Sequence, residues 1–297
     1  MLRDDIQSAT GQAPDLDFVS ALGRGEIEPH YQAKVDLRSA HVVGVEALAR
    51  WNHPEAGLIP AADFLPQVEA GGHMRAFTEL MIESSMRAAG DWWRSGLGLQ
   101  LSVNLPTCIF SEPDWSLEQF VAQALATTGL PGTALQFEIT EDALVNEADR
   151  VTKAIEQLNA LGATVSIDDF GTGHFSFRQL MRLPIEELKI DRSLILDLED
   201  AENRTIVRSI IHLSHQMGLP VVAEGVETEE AWRQLRSMGC ERAQGFLIAR
   251  PLPSREVPAW LAAWNPRARE LSSTKRTKRR RITGTPSSSK HPIEATA

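Results

Sequence analysis

The sequence predicts an α/β fold, most simply a closed barrel of parallel strands, from three observations. Short β-branched runs alternate regularly with longer amphipathic segments from residue 99 onward. Such strand–helix units produce parallel strands that are joined by helical crossovers. About eight strands fall within roughly 240 residues, which favours a closed barrel over an open sheet. The length of 297 residues suits one large domain of this kind.

The elements can be placed in chain order. Two strand-like runs at 31–37 and 41–48 are joined by a tight turn, which departs from the regular alternation, and a helix is predicted at 77–93. Gly162 and Gly239 each end a helical pattern, as glycine commonly does at helix C-termini. Further strands are predicted at 99–105, 134–139, 163–167, 187–190, 220–223 and 243–248, and further helices at 117–128, 148–161, 177–181, 202–217 and 229–238.

The charge is distributed unevenly along the chain. Residues 266–297 contain nine Lys or Arg and two acidic residues, a net charge of +7, which leaves −17 on the remainder of a chain whose total is −10. An acidic body is a poor general binder of nucleic acids. The basic segment 266–297 is predicted to be a disordered tail. It is expected either to contact a polyanion or only to be solvated.

Cysteine content and hydropathy limit the cellular setting. Cys108 and Cys240 are the only cysteines, so the sequence predicts neither a disulfide framework nor a zinc site. No run approaches the ~18 apolar residues that span a bilayer, and residues 1–16, a predicted flexible leader, lack the apolar region of a secretory signal. We therefore expect a cytoplasmic protein without a membrane span.

Polar side chains follow nearly every predicted strand. The strongest case is Asp168 and Asp169, two adjacent carboxylates that repel each other unless cations or water stabilise them. In a βα barrel, the points where strands run into the following loops meet at one mouth. The polar residues at these points are Glu46, Asn104, Glu138 with Glu141, Asp168 with Asp169, Lys189 with Asp191, Glu224 with Glu227, and Gln244.

This set of donors indicates a site for hard divalent cations. Carboxylate and amide oxygens without clustered His or Cys suit Mg²⁺ or Mn²⁺. Asp168 and Asp169 are placed to face different ions, and two ions about 3.5–4 Å apart polarise a phosphoryl group and activate a water. Lys189 is placed to orient that water or to meet charge in the transition state.

Each residue taken alone also has a simpler interpretation. Glu141 and Glu227 precede predicted helices, where acids commonly stabilise the first turn. Asn104 suits a turn, and Lys189 has acidic neighbours with which it can form a surface ion pair. These separate explanations would have to hold at seven strand ends at once. A single shared site accounts for all seven, so we favour it.

The motifs resemble those of EAL-domain cyclic di-GMP phosphodiesterases. Glu46-Ala47-Leu48 lies within Val45–Trp51, and Asp168-Asp169-Phe170-Gly171-Thr172-Gly173 forms the second signature. The similarity runs from about Phe18 to Pro253, and its other motifs are Tyr31-Gln32, Phe137–Glu141, Leu188–Arg192, Ala223–Glu227, Gln244–Phe246 and Pro251-Leu252.

The resemblance implies a fold and an activity. The fold would be a modified TIM (βα)8 barrel with one antiparallel strand, and residues 17–256 would form the EAL phosphodiesterase domain. The activity would be hydrolysis of one phosphodiester bond of cyclic di-GMP, giving linear pGpG. The alternative is a catalytically silent cyclic di-GMP receptor or protein-interaction module. Such members typically lose metal ligands or the lysine, and this chain keeps both.

The resemblance also implies residue roles, carried over by motif. Two divalent cations, Mg²⁺ or Mn²⁺, would be cofactors, and Lys189 would position the catalytic water. Glu141 would hold the loop after Asp169, which in this family links the site to dimerisation, so a homodimer is expected. The metal ligands would be Glu46, Asn104, Glu138, Asp168, Asp169 and Glu224, of which Glu46, Asp168, Asp169 and Glu224 would also be catalytic, and the substrate-binding residues would be Gln32, Leu48, Arg50, Glu227 and Gln244.

Four positions depart from the family pattern. Pro106 stands two residues after Asn104, where the family usually has serine, so the Asn104 loop is expected to shift without loss of the ligand. Ala33 replaces the proline that commonly follows Tyr-Gln. His174 and Phe175 replace a Tyr-Ser pair in the loop after Gly173.

Overall fold

A closed barrel of eight strands forms the centre of the structure, a computed structural model that describes residues 17–171 and 180–272. Strands β3 and β10 lie outside the barrel and pair with β2 and β1. The strands are β1 Ile27–Asp36, β2 Val42–His53, β3 Gly57–Pro60, β4 Gln100–Asn104, β5 Leu135–Thr140, β6 Thr164–Phe170, β7 Glu187–Ile190, β8 Val221–Ala223, β9 Arg242–Gln244 and β10 Leu252–Pro253.

One barrel strand runs against the others. The barrel order is β1-β2-β4-β5-β6-β7-β8-β9, and β9 pairs with β1 to close it. β1 is antiparallel to both β2 and β9, whereas the remaining barrel pairs are parallel. The predicted modified TIM barrel with one antiparallel strand is confirmed.

Ten helices are seen in the described residues, most of them packed outside the barrel. Local sequence explains several ends: Ser116 caps the N-terminus of α4 by accepting from the Gln119 N–H, and Gly129, at φ 69°, ends it. The helices are α1 Phe18–Arg24, α2 Ala61–Ala70, α3 Met74–Arg94, α4 Leu117–Thr128, α5 Glu141–Asn146, α6 Ala148–Ala160, α7 Arg192–Leu196, α8 Ala201–Gln216, α9 Glu229–Met238 and α10 Val257–Ser272.

Two predicted boundaries differ from the structure. The last barrel strand ends at Gln244 because the chain at Gly245 approaches the backbone of Val226, where an added Cβ would lie 2.3 Å from the Val226 nitrogen. Helix α10 continues to Ser272 and buries Ala268 and Leu271. Residues 266–272 of the predicted tail therefore belong to this helix.

Some predictions fall outside the described residues. Residues 1–16, residues 273–297 of the tail, and residues 177–179 of the predicted helix 177–181 are among these. Within 17–171 and 180–272, no helix is both long enough and apolar enough to cross a membrane.

Candidate metal and phosphodiester site

The strand register places the predicted site residues at one end of the barrel. Asn104 on β4 pairs with Glu138 on β5, and Asp168 on β6 pairs with Thr140 two residues further along β5. Neighbouring strands thus bring these side chains to adjacent levels inside the barrel mouth. The strand ends therefore converge at one end of the barrel, as the sequence predicts.

Lys189 on β7 lies at the centre of four carboxylates. Its Nζ is 2.5 Å from Glu138 Oε2, 2.6 Å from Glu224 Oε1, 3.0 Å from Asp168 Oδ2 and 3.4 Å from Glu46 Oε2. The lysine side chain is 0% exposed. One buried positive charge therefore faces four acidic groups.

The carboxylates form two overlapping groups. Oxygens of Glu46, Glu138 and Asp168 all lie within 4.8 Å of one another, as do oxygens of Asp168, Asp169 and Glu224. Asp168 belongs to both groups, while Asp169 follows it with a left-handed backbone, φ 54°, and donates its N–H to Asp168 Oδ1 at 2.9 Å. The two adjacent carboxylates therefore both reach the second group, although successive side chains of a regular strand point to opposite faces.

The protonation behaviour of the carboxyls reflects the crowding. Burial, with the charge of Glu138, raises the pKa of Glu46 to about 7. Burial, with the charge of Asp168, raises the pKa of Asp169 to about 6. Burial also raises the pKa of Glu224 well above its usual value, although Lys189 opposes the shift. Additional positive charge near these carboxyl groups would stabilise their ionised forms.

The donor set fits hard divalent cations. It consists of carboxylate oxygens with an adjacent amide, and such ligands suit Mg²⁺ or Mn²⁺. The two overlapping groups of carboxylates agree with that chemistry.

Asn104 stays with the site in spite of the proline that follows it. Its Nδ2 donates to Glu46 Oε1 at 2.7 Å. The Leu105 N–H donates to the Glu138 carbonyl at 2.8 Å, so strand pairing continues past Asn104 before Pro106 begins the next turn. The Asn104 side chain therefore lies beside Glu46, as expected of a retained ligand position.

An open cavity lies next to the carboxylates. Gln244 connects the two regions, because its Nε2 donates to Glu46 Oε2 at 2.6 Å and to Gln32 Oε1 at 3.0 Å. The Arg50 guanidinium is partly buried in the wall, and burial lowers its pKa. The cavity is lined by all five predicted substrate-binding residues, Gln32, Leu48, Arg50, Glu227 and Gln244, and also by Arg192, Phe246 and Pro251.

Two further predicted residues act at the edges of the site. Glu141 begins α5, is buried, and accepts from the Gly171 N–H at 3.3 Å, so it holds the chain immediately after β6. Asp191 caps α7 by accepting from the Ser193 N–H at 2.9 Å, and its side chain also hydrogen-bonds with Asp169 and helps to raise the pKa of that carboxyl. His174 and Phe175 lie outside the described residues.

Sequence reasoning missed a second buried lysine beneath the site. Lys34 Nζ donates to Glu187 Oε1 at 2.7 Å and to Gln136 Oε1 at 3.0 Å, and it lies 3.5 Å from Glu138 Oε1. Arg242 pairs with the other oxygen of Glu187. The available signal was Lys34 itself, a charge two residues after Gln32 and therefore on the same face of a strand that is otherwise buried.

The fold and the site define the class: a (βα)8-type barrel with an acidic group at the mouth. The model of the family described as the EAL domain matches residues 16–251, and the chain belongs to this family. The resemblance inferred from the motifs is thereby confirmed.

Similar proteins agree with this assignment. The chain is 39% identical over 248 residues to the bifunctional diguanylate cyclase/cyclic di-GMP phosphodiesterase MucR of Pseudomonas aeruginosa, covering 83% of this chain and 36% of MucR. It is 37% identical over 245 residues to the cyclic di-GMP phosphodiesterase NbdA of the same organism, covering 82% of this chain and 31% of NbdA. The chain thus spans about a third of the length of these curated relatives.

A solved structure extends the likeness to the fold. The PaMucR phosphodiesterase in complex with c-di-GMP matches with a TM-score of 0.78 at 39% sequence identity, covering 81% of this chain and 98% of that one. The likeness therefore includes nearly the whole of the solved domain.

Proposed function

We propose that this protein is a metal-dependent phosphodiesterase that hydrolyses one phosphodiester bond of cyclic di-GMP and releases linear pGpG. The observation that carries the proposal is the intact pair of carboxylate groups sharing Asp168, with Lys189 between them and an arginine-lined cavity alongside. The names of the relatives MucR and NbdA support the same substrate.

The site residues form two groups, one that would bind cations and one that would bind the substrate. Glu46, Asn104, Glu138 and Asp168 would hold one cation, and Asp168, Asp169 and Glu224 the second. Bound divalent cations polarise a phosphoryl oxygen and lower the pKa of a bound water.

The remaining groups orient the reactants. Lys189 Nζ carries a proton among the carboxylates, where it orients the attacking water and stabilises negative charge that develops at phosphorus. Arg50 binds a phosphate of the substrate through its guanidinium. Gln244 keeps Glu46 and Gln32 in fixed orientations through its two hydrogen bonds.

The test is a direct assay of the purified protein. Cyclic di-GMP is incubated with Mg²⁺, with Mn²⁺ or with EDTA, and the nucleotides are separated by chromatography. We expect pGpG with at least one metal, none with EDTA, and none from Asp168→Ala. Binding of cyclic di-GMP without turnover in either metal would instead support the receptor alternative. Failure to bind the nucleotide would refute the proposal.

Association and the basic tail are proposed separately. Homodimer formation is expected from the family resemblance and is measured by light scattering coupled to gel filtration.

Contact with a polyanion is assigned to residues 273–297. Removing these residues should abolish any salt-sensitive binding to RNA or anionic vesicles, and unchanged binding would dismiss the role.

A further inference from the structure

We propose that the tail residues 273–297 bind a groove on the outside of the same domain, between α9 and the segment that joins α7 to α8. The inference goes beyond the proposed catalysis and does not depend on it. It gives the basic residues of the tail a partner within this chain. The groove and the polyanion proposed above would compete for the same positive charges.

The groove has an apolar floor and an acidic edge. Its apolar lining consists of Ile195, Leu196 and Leu198, of which Ile195 and Leu198 are buried. The exposed carboxylates that line it are those of Glu199, Glu227 and Glu230. Its volume is about 160 Å³, which is room for several water molecules and therefore for a long side chain. Lysine and arginine suit such a surface, because their stems cover apolar groups while their charged ends stay at the edge.

The segments on either side of the groove carry only negative charge. Residues 197–202 and 227–230 contain seven Asp or Glu and no Lys or Arg. Arg192 and Arg233 each pair with one of these acids from outside the two segments, but exposed pairs of this kind contribute little stability. In the tail, six of the seven residues 275–281 are Lys or Arg. The groove and the tail are therefore complementary in charge.

An unused hydrogen-bond acceptor lies in the groove. Gln234 on α9 donates through Nε2 to Glu230 Oε1 at 3.2 Å, whereas its Oε1 is buried and accepts no hydrogen bond from residues 17–171 and 180–272. A buried polar atom without a partner is costly. Lysine and arginine side chains carry donors only, so a cation that enters the groove can satisfy this atom. The groove thus offers a tail cation more than a negative surface.

The tail begins close to the groove. Arg236, in the last turn of α9, donates to the Leu271 carbonyl at 3.4 Å, so α10 ends beside the end of α9. Gln234 and Glu230 stand two and six residues before Arg236, which is about 3 Å and about 9 Å along a helix axis. An extended chain covers about 3.3–3.6 Å per residue. Residues 275–281, which begin three positions after α10, are therefore long enough to lie along the groove.

The acidic site at the barrel mouth is the competing partner for the same cations. The groove is favoured because it lies along α9, beside which the tail begins, and because the carboxylates at the mouth already surround Lys189. Glu227 lines both the groove and the cavity at the mouth. For this reason it is left unchanged in the variants below.

The first experiment locates the tail by chemical coupling in the full-length protein. A carbodiimide joins a lysine amine directly to a carboxylate that it contacts, and mass spectrometry of the monomeric product identifies the pair. We expect Lys275 or Lys278 to be joined to Glu199 or Glu230 at low salt. This product should fall about fivefold or more in 1 M NaCl, where the Debye length is about 3 Å.

The second experiment measures how strongly the groove protects the tail. Trypsin cleaves after Lys and Arg, so the rate of cleavage within 275–281 reports the fraction of tail that is free. Glu199→Gln combined with Glu230→Gln should raise this rate about three- to tenfold, because two exposed ion pairs with the tail are lost. Glu83→Gln combined with Glu156→Gln is the matched control, since it removes two exposed carboxylates from α3 and α6. The control should be cleaved at the wild-type rate, and thermal melting checks that every variant folds.

Several results would overturn the inference. These are coupling of the tail lysines mainly to Asp169 or Glu224 at the mouth, coupling found only between two copies of the chain, and equal cleavage rates in the two double variants. Binding of RNA or vesicles through the tail, without the groove product, would support the polyanion contact and dismiss the groove. Neither experiment uses cyclic di-GMP or a metal, so a failure of the proposed catalysis is distinguishable from a failure of this inference.

Discussion

The barrel contains two buried lysines at different levels, and their surroundings differ in charge balance. Lys34 shares Glu187 with Arg242 and also contacts the neutral side chains of Gln136 and Ser102, and the Glu138 carboxylate lies 3.5 Å from its Nζ. Lys189 is the single cation among four carboxylates. The lower network has two cations for its one carboxylate, and Glu138 lies between the two levels, whereas the upper network has four carboxyl groups around one lysine.

The difference shows how one barrel interior can hold both a structural and a functional polar layer. Burial alone would lower the pKa of either lysine, but nearby carboxylates outweigh it and raise both, Lys189 strongly. Buried charges persist only where partners satisfy them. The lower layer therefore satisfies its buried charges with groups of the protein, and the upper layer is suited to receive cations.

The largest expected effect comes from removing the upper lysine. Lys189→Met should lower the rate of cyclic di-GMP hydrolysis about 10²- to 10³-fold, because a positive group that orients the water and stabilises negative charge in the transition state is lost. The fold should survive, since the carboxyls can take up protons and the pKa of Glu46 already stands at about 7. Turnover and urea unfolding measure the two effects. A variant with normal turnover would contradict the role of Lys189.

Removing Lys34, the lower lysine, should reduce stability strongly and turnover only weakly, which is the opposite of the result expected for Lys189→Met. Lys34→Met leaves Glu187 with one of its two cations, and breaking a buried pair costs about 3–5 kcal/mol of the free energy of unfolding. The turnover of the folded fraction should fall much less than in Lys189→Met.

A double variant serves as the control for this prediction. Lys34→Met combined with Glu187→Gln removes both charges and should recover part of the lost stability in urea unfolding. If the double variant regains stability but turnover stays as low as in Lys189→Met, Lys34 acts in the site and the two layers are not separate.

Asp168, which both carboxylate groups share, allows the two proposed cation sites of the upper layer to be tested separately. Asp168 belongs to both carboxylate groups and Asp169 to one. A ligand at 100 times its Kd stabilises a protein by about 2.7 kcal/mol. Asp168→Asn should lose most of the stabilisation that Mn²⁺ provides, and Asp169→Asn should keep part of it. Thermal melting across a Mn²⁺ titration measures both, with Asp200→Asn, at the N-cap of α8, as a control. Equal losses in the two variants would argue against a shared ligand.

The sequence predicted local features of the fold better than contacts between distant strands. Helix α4 coincides with the predicted helix 117–128, and its ends depend on local capping by Ser116 and Gly129. The strand-end acids were predicted to converge because parallel strands of a barrel share one mouth. The Lys34–Glu187–Arg242 network could not be predicted, since it joins residues on β1, β7 and β9 that meet only when the barrel closes. The short β9 depends likewise on the close approach of Gly245 to Val226.

The smallest expected effect tests whether the lower layer is only structural. Arg242 is partly exposed and pairs with the Glu187 oxygen that does not contact Lys34. Arg242→Met should lower the free energy of unfolding by about 1.5–3 kcal/mol, the usual contribution of a hydrogen bond to a charged group. Because Lys34 still neutralises Glu187, turnover and Mn²⁺ stabilisation should stay within about twofold of the wild type, an expectation that follows from the independence of separated sites. Enzyme assays measure turnover, and melting curves with Mn²⁺ measure the stabilisation by the metal. Both are compared at equal fractions of folded protein. A tenfold loss of either property would show that charge in the lower layer is transmitted to the carboxylates above it, most directly through Lys34 and its 3.5 Å approach to Glu138.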